Sequence, residues 1–479
     1  MTAIAVDDYI RHDATGLADL VRTGEARPSE LLDAAIDRLQ KVDGDLGAVV
    51  QLHADMARSA LGTTARNAVF SGVPFLLKDL FTDLEGSVSE NGSTFHVAGP
   101  AAHDCTVVSR YKAAGLSIFG KTHSPEFGGT STSESRRFGM TRNPHANGLS
   151  AGGSSGGAAA AVASGVVPAA QATDAGGSII IPASCCGLLG LKPSRGRVPL
   201  GPVRHEGAGG LATQHVITRT VRDSAAFLDV ETSPDDVRDG LSRPAFERFS
   251  ETIRQPLRRL RIAILHQSVE GIVPDPECLL ACDDAAQLCA GLGHRTMPVV
   301  LPIDTDRYAR AEQALRLASV AATVRGLEQR IGRAANESDL EPATWERYRT
   351  GLQITGSEVL EAREAMLDAT RQVHAFMADF DVILSPSMAT LPPPPGTIGL
   401  NRTDAGAAAL NRQCTTFARV YNWTGQPAIS VPLHVTAAGV PVGVLFAAAF
   451  GQEGLLLQLA TELEAARPWS GLAPAYRQI

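Results

Sequence analysis

The chain has 479 residues, 44% hydrophobic and 20% charged, an ordinary globular composition with enough apolar material for a large core. A formal charge of −8 argues against a nucleic acid or an anionic membrane as partner. The opening MTAIAVDDYIRHDA lacks a basic segment followed by an apolar one, and the most apolar run, Ala158 to Ala170, is too short for a bilayer, so a soluble cytoplasmic protein is expected.

In chain order, residues 14 to 42 carry two helical apolar repeats, the second expected to be capped by Ser29 after Pro28. From Val73 the texture changes to short apolar runs, VPFLLKDLF, SIFGKT and VVPAAQATD, separated by Gly-rich turns and helical stretches. That alternation reads as α/β with a largely buried sheet. The polar, charged stretch 231–260 is expected on the surface. LRRLRIAIL then predicts a strand, DPECLLACDDAAQLCAGLG a helix ending at Gly291 or Gly293, and residues 305–380 are strongly helical. DVILSPSMAT predicts another strand, and LPPPPG a stiff loop that is either a plain connection or a pocket wall. PAISVPLHV and PVGVLFAAAF predict a strand pair turning at Ala438-Gly439, before a closing helix at 452–466.

Seven cysteines scattered over so long a chain do not resemble a disulfide framework. Cys278, Cys282 and Cys289 share one helix face without a His or further Cys at ligand spacing, which favours burial over metal binding; adjacent Cys185 and Cys186 read as small apolar packing. Lysine usage is more informative. The five lysines, Lys41, Lys78, Lys112, Lys121 and Lys192, stand against 38 arginines. A chain that uses Arg for generic surface charge keeps Lys where a side chain must lose its proton, which Arg cannot do. This narrows a basic catalyst to five candidates without picking one.

Two segments carry the chemistry. Ser150-Ala-Gly-Gly-Ser-Ser-Gly-Gly157 runs into an Ala-rich helix expected near Ala158, and Thr173-Asp-Ala-Gly-Gly-Ser178 follows. Glycine N–H groups at a helix start suit a phosphate, yet the Walker Gly-Lys-Ser/Thr and the dinucleotide spacing are both absent. A tightly turning connection is the bland reading of the first segment. The second shifts the balance, because Ala175-Gly176-Gly177-Ser178 lets a serine sit at a tight turn with successive N–H groups aimed at one spot, as an oxyanion hole requires. It is not the Gly-x-Ser-x-Gly elbow. A serine hydroxyl also needs a general base. His205 and His215 are near in sequence, but a lone His is more often a satisfied surface or core residue. Lys78, in the apolar PFLLKDLF, is the stronger candidate, since burial leaves a neutral amine; Lys41 and Lys112 sit among polar or helical surface residues.

At these residues the chain resembles the amidase signature family over most of its length. The resemblance is carried by GGSSGG (152–157), DAGGS (174–178) and PASCCGLLGLKPSRGRVP (182–199). LKD (77–79), GKTHSPEFG (120–128), FGMTRNP (138–144) and GQPAISVPL (425–433) add to it. It implies an α/β amidase signature fold, a large mixed β-sheet core covered by helices on both faces. It assigns Ser178 as nucleophile, Ser154 as the bridging serine after a cis Gly153–Ser154 bond, and Lys78 as base. The N–H groups of Ala175, Gly176, Gly177 and Ser178 are implied to receive the oxyanion. Ser155 and Thr173 are implied hydrogen-bond partners of Lys78 and Ser154, and Asp174 a brace for the loop. Gly128 corresponds to a position whose backbone carbonyl faces the scissile group, and with Ser154 it is implied to contact substrate. Lys121 and Lys192 fall in family motifs as structural residues. Two departures stand out: Ile180 where many relatives have Arg, and His123 where Asn is common.

The implied organisation is one amidase domain over 1–479. It comprises an N-terminal helical region (1–70), the signature catalytic core (71–230), a variable, mostly helical region shaping the pocket (231–380) and C-terminal strands and helix completing the core (381–479). Pocket shape is expected from 305–375 and the loop 388–412. The implied activity is cleavage of an amide-type C–N bond, in an amide, anilide, cyclic or oligomeric amide, or urethane, through an acyl-enzyme on Ser178. The texture, TVRDSAAFLD (220–229) included, is closest to bacterial amidases, nylon cyclic-dimer hydrolases and aryl-amide or urethane hydrolases among them. A glutaminase subunit of a tRNA-dependent amidotransferase is disfavoured by the departure from a Tyr-Gly pattern after Lys192-Pro-Ser-Arg-Gly-Arg-Val. A catalytically silent binding protein is disfavoured because all three triad residues are present. No cofactor and no metal is implied. The partner is a small-molecule amide or carbamate, with no nucleic acid and no membrane, and a homodimer is compatible with the family.

Overall fold

A computed structural model of the chain describes residues 4–63, 67–234 and 245–477. Among them, eleven strands make one mixed sheet: β1 (Val49–Leu52), β2 (Pro74–Lys78), β3 (Ser117–Thr122), β4 (Ala169–Asp174), β5 (Leu189–Lys192), β6 (Thr213–Thr218), β7 (Arg261–Ile264), β8 (Arg295–Pro298), β9 (Val382–Pro386), β10 (Ala428–Val435) and β11 (Pro441–Ala448). Their spatial order is β1-β3-β2-β4-β6-β5-β10-β11-β9-β7-β8. β2 runs parallel to both β3 and β4, and β7 parallel to both β8 and β9, while antiparallel pairs link these blocks through the centre.

The helices that build the core and the site are α1 (Ala14–Thr23), α2 (Pro28–Leu46), α3 (Gly156–Ala163), α4 (Ile180–Cys185), α5 (Val221–Glu231), α6 (Pro276–Gly291), α7 (Thr305–Ile331), α8 (Pro342–Gly351), α9 (Gly356–Phe376), α10 (Ala405–Thr415) and α11 (Glu453–Ala466). Strand residues alternate between two apolar layers, as the two-residue period of a strand requires. Val382 and Leu384 of β9 and Val444, Phe446 and Ala448 of β11 join one layer with Cys278, Cys282 and Cys289 of α6 and Leu456 of α11. Ile383, Leu445 and Ala447 face the other way, against Leu315 of α7, Met366 and Ala369 of α9, and Trp423. Helices therefore cover both faces, and the three α6 cysteines are buried core residues.

Three local expectations shift. The α2 helix starts at Pro28, which places Ser29 inside its first turn; the Glu30 carboxylate accepts the Arg27 N–H at 2.8 Å, so a side chain three residues on closes the end in place of a serine cap. The Ala-rich helix begins at Gly156. The stretch 231–260 falls partly outside the described residues, and its remainder is no simple surface excursion, because Phe249 and Leu260 are buried in the core.

Candidate active site

Three segments converge at the carboxyl ends of β2 and β4. These strands are parallel neighbours with Leu76 opposite Ala170, so Lys78, the last residue of β2, comes beside Thr173 and Asp174 at the end of β4. Crevices outside the carboxyl ends of parallel strands are where α/β sheets bind ligands. The third segment turns into α3, and its Gly153–Ser154 peptide is cis. Gly156 N–H donates to Ser133 Oγ and Gly157 N–H to His123 O, so these helix-start donors are taken by protein acceptors and cradle no phosphate.

Lys78 is fully buried. Its Nζ lies 2.8 Å from Ser154 Oγ, 2.8 Å from Ser155 Oγ and 2.9 Å from Thr173 Oγ1. Ser155 Oγ donates in turn to Thr173 O at 3.2 Å, and the Lys78 backbone N–H donates to Gln171 Oε1 at 2.9 Å. Burial pushes the ammonium well below the ordinary lysine range, with the charge of Asp174 opposing the effect. Lys121 and Lys192 are buried too, but Lys121 Nζ donates to Val88 O and Ser89 Oγ and Lys192 Nζ to Pro193 O. Burial lowers Lys192 to about 7, so a depressed pKa alone does not single out Lys78. Its hydroxyl company beside the cavity does.

The Asp174 carboxylate winds the next turn around itself. It accepts N–H groups of Gly176 (3.1 Å), Gly177 (2.7 Å) and Ile179 (2.6 Å), and Nδ2 of Asn422 (2.9 Å). Gly177 takes φ +114°, a conformation closed to most side chains. Of the four amides expected to face an oxyanion, those of Gly176 and Gly177 are thus engaged with Asp174. Those of Ala175 and Ser178 have no acceptor among the described residues. Arg316 of α7 donates Nη2 to Ala175 O and Nε to Glu312 Oε1, the latter at 2.7 Å. Ile180 is fully buried in the apolar layer beneath the turn, and His123 is buried between Thr141 Oγ1 and Ser135 Oγ, its pKa pushed down to about 4 by burial.

A cavity of about 650 Å³ opens over half-buried Ser178, with Ser154, Thr173 and Ala175 on its floor. Gly128 lies across from them at φ +68°, where an added Cβ would stand 3.2 Å from Ser154 Oγ. The outer wall comes from α7, Arg347 of α8, and residues between Asn411 and Arg419. The LPPPPG loop is a plain connection outside this wall, Pro393 O accepting the Ser150 N–H at 2.9 Å. His215 is buried against Glu231 and Ser224 and does not line the cavity. Sequence reading missed Asn422, Gln171 and Arg316; Asn422 meets Asp174 across 248 positions, a contact no local pattern announces.

A large mixed sheet with helices on both faces and a buried lysine among serines beside a glycine-rich turn define a serine amidohydrolase, an enzyme of amide C–N bonds. The family model described as Amidase matches residues 30–457, and the chain belongs to that family. A 6-aminohexanoate-cyclic-dimer hydrolase of Paenarthrobacter ureafaciens is 36% identical over 476 residues, covering 96% of each chain. A structure of 6-aminohexanoate cyclic dimer hydrolase complexed with substrate superposes at TM-score 0.92 and 34% identity, over 98% of this chain and 100% of that one. A bacterial aryl acylamidase belonging to the amidase signature enzymes superposes at TM-score 0.87 and 28% identity, over 98% of both chains. No helix among the described residues is long and apolar enough to cross a membrane.

Proposed function

We propose that Ser178 is the nucleophile, Ser154 the proton bridge and Lys78 the general base of amide hydrolysis. The observation that carries this reading is the set of three hydroxyl oxygens around Lys78 Nζ. The Ser155 proton is engaged with Thr173 O, so the Ser155 hydroxyl accepts from Nζ. A neutral amine has two N–H donors and one lone pair. With Ser155 and Thr173 accepting the donors, the lone pair faces Ser154, whose proton is free to move onto it.

Ser178 Oγ attacks the carbonyl carbon as its proton passes to Ser154 and the Ser154 proton to Lys78. The new C–O bond pushes the carbonyl π electrons onto oxygen, where the N–H groups of Ala175 and Ser178 receive the charge. Gly176 and Gly177 shape the turn through Asp174. Collapse expels the nitrogen, which takes a proton from Ser154, itself resupplied by Lys78. Water then cleaves the acyl ester by the same relay, releasing the acid and restoring Ser178.

Similarity to a cyclic-dimer hydrolase and an aryl acylamidase favours cyclic amides and anilides. A urethane presents the same carbonyl–nitrogen bond with an ester oxygen on its far side, and a cavity of about 650 Å³ has room for groups on both sides of it. The test is a panel of anilides, aliphatic amides, cyclic amides and aryl carbamates, run with native protein and Ser178→Ala. The expected result is turnover by native protein alone, with an acyl adduct on a peptide containing Ser178 in quenched reactions. Native-level turnover by Ser178→Ala would sink the assignment.

A further inference from the structure

The cationic side chains of the cavity wall differ in whether their charge is already met. This distinction bears on substrate class and rests on the hydrolytic reading above. Arg316 is engaged by Glu312 and Ala175 O. Arg419 pairs with Glu270 and lies 3.5 Å from the second Glu312 oxygen. Glu206, on the same cavity, is held by Arg363 at 3.1 Å.

Arg310 and Arg412 on this wall are exposed to solvent, and half-buried Arg204 lies over the Phe81 ring at 3.8 Å, which leaves Arg347 as the half-buried cation with neither an ion pair nor a ring against it among the described residues. It reaches the cavity from α8 half-buried and donates Nη1 to Gly129 O at 2.7 Å. It pairs with no carboxylate among the described residues, and its Nε and Nη2 donate to no group there. Burial is the main influence against its charge, the like charge of Arg316 adds to it, and the carboxylate of Glu346 opposes them without pairing with the guanidinium. A guanidinium keeps its charge even so, because its ordinary pKa lies too high for such a shift to matter near neutrality. An unmatched, partly desolvated cation is costly, and a ligand that brings two acceptor oxygens removes that cost.

The position is also telling. Gly129 follows Gly128, whose Cβ position stands 3.2 Å from Ser154 Oγ, and a Cβ on Gly129 itself would stand 3.1 Å from Arg347 Nη1. The guanidinium therefore binds the backbone one residue away from the wall of the reaction centre. Arg347 lines the same cavity as Ser178.

We propose that Arg347 forms a carboxylate subsite, so that the preferred substrates are amides bearing a carboxylate a few bonds from the scissile C–N bond. The fork geometry of the guanidinium suits the two oxygens of a carboxylate and discriminates against a neutral group of equal size.

The test compares matched probes. On the acyl side these are N-succinyl-4-nitroanilide and N-butyryl-4-nitroanilide; on the leaving side, 4-acetamidobenzoate and acetanilide. The anionic member of at least one pair is expected to lead in kcat/KM by about 10- to 100-fold, the worth of one or two charge-assisted hydrogen bonds. Arg347→Gln is expected to cut that lead about ten-fold or more, Arg347→Lys to restore part of it, and added salt to shrink it. The proposal is overturned if the neutral member does as well in both pairs. It is equally overturned if Arg347→Gln slows both members of a pair by one factor, the mark of a structural role. Calorimetric titration of N-succinyl-4-nitroanilide into Ser178→Ala, with and without Arg347→Gln, reads the subsite without turnover. Tighter binding with Arg347 present supports it even if the hydrolytic scheme fails, and equal binding overturns it even if that scheme stands.

Discussion

Lys78 Nζ lies 2.8 Å from Ser154 Oγ, buried beneath the cavity floor, and its other two polar neighbours are the hydroxyls of Ser155 and Thr173. This contact combines two requirements that conflict in most proteins. A buried ammonium needs an anion or many acceptors, and hydroxyl oxygens are weak compensation, so the neutral form is favoured. The same hydroxyls hold the amine in one orientation, which a base needs for directed proton transfer.

Lys78→Ala is expected to lower kcat by about a thousand-fold or more, and Lys78→Arg to give no rescue, because a guanidinium cannot accept the proton. Activity is expected to fall as pH drops through the depressed lysine pKa, since the protonated amine has no lone pair. The unfolded chain binds that proton more tightly than the folded one, so native stability rises with pH between the folded value and the ordinary lysine value. The buried amine thus costs stability near neutrality, and Lys78→Met is expected to melt no lower than native protein at pH 7 while losing turnover. A kcat/KM profile rising toward acid, or a marked loss of stability in Lys78→Met, would remove this account.

The sequence made the centre of the site legible because its physics is local. Gly-Gly before Ser178 announces a tight turn, and a lysine inside PFLLKDLF announces burial, whatever surrounds them. The strand pairing around β10 and β11 was legible for the same reason, since alternation and a glycine turn are short-range signals. What the sequence did not show are contacts between distant segments. Arg316 on Ala175 and Arg347 on Gly129 come from helices whose arginine pattern is that of an ordinary solvated face, and Asn422 on Asp174 comes from the buried apolar stretch Val420–Trp423, where nothing local names its acceptor. The resemblance implied Asp174 as a brace for the loop, but not that it takes the Gly176 and Gly177 amides, because a Gly-Gly-Ser string fixes that amides are available and not which acceptor takes them.

Gly128→Ala tests the cavity wall across from Ser154. The position has φ +68°, and a methyl group there would stand 2.8 Å from Leu80 Cδ2 and 3.2 Å from Ser154 Oγ. The backbone strain alone costs about 1–2 kcal/mol. Displacement of Ser154 is expected to lower kcat by about ten-fold or more, with a smaller effect on KM, because a misplaced relay slows the chemical step. Steady-state kinetics and a melt on one preparation check both parts; unchanged kcat with a lowered melting temperature would make Gly128 purely structural.

Asp174→Ala is expected to be among the most damaging single changes outside the proposed triad. It strips the acceptor from the N–H groups of Gly177 and Ile179 at 2.7 and 2.6 Å and from Asn422 Nδ2 at 2.9 Å. Leaving buried donors unmatched costs about 1–3 kcal/mol each before relaxation. Asn422→Leu removes a single contact to that carboxylate and is expected to cost less stability while still lowering kcat through a looser turn. Urea denaturation and turnover of the two variants give the ranking; an Asp174→Ala protein as stable and active as native would show that the turn holds without its carboxylate.

Stability also depends on pH outside the cavity around Ser178. Asp13, Asp223 and Glu464 meet where the start of α1 docks on α5: Asp223 accepts the N–H groups of Ala14 and Thr15 at 2.6 and 2.9 Å, and Glu464 accepts that of Val221 at 3.3 Å. Burial, with the negative charges of Asp13 and Asp223 nearby, raises Glu464 to about 7. A carboxyl whose folded pKa is raised binds its proton more tightly folded than unfolded. Its contribution is therefore most favourable below the ordinary glutamate value and is lost as pH rises through about 7. Glu464→Gln keeps an oxygen for Val221 and cannot ionise. It is expected to gain about 1 kcal/mol over native protein at pH 8, after discounting for partial exposure, and nothing at pH 4.5. Denaturant titrations of both proteins at the two pH values decide it. The same difference at both, or a variant weaker than native at pH 8, would show that Glu464 is charged and satisfied in the folded chain.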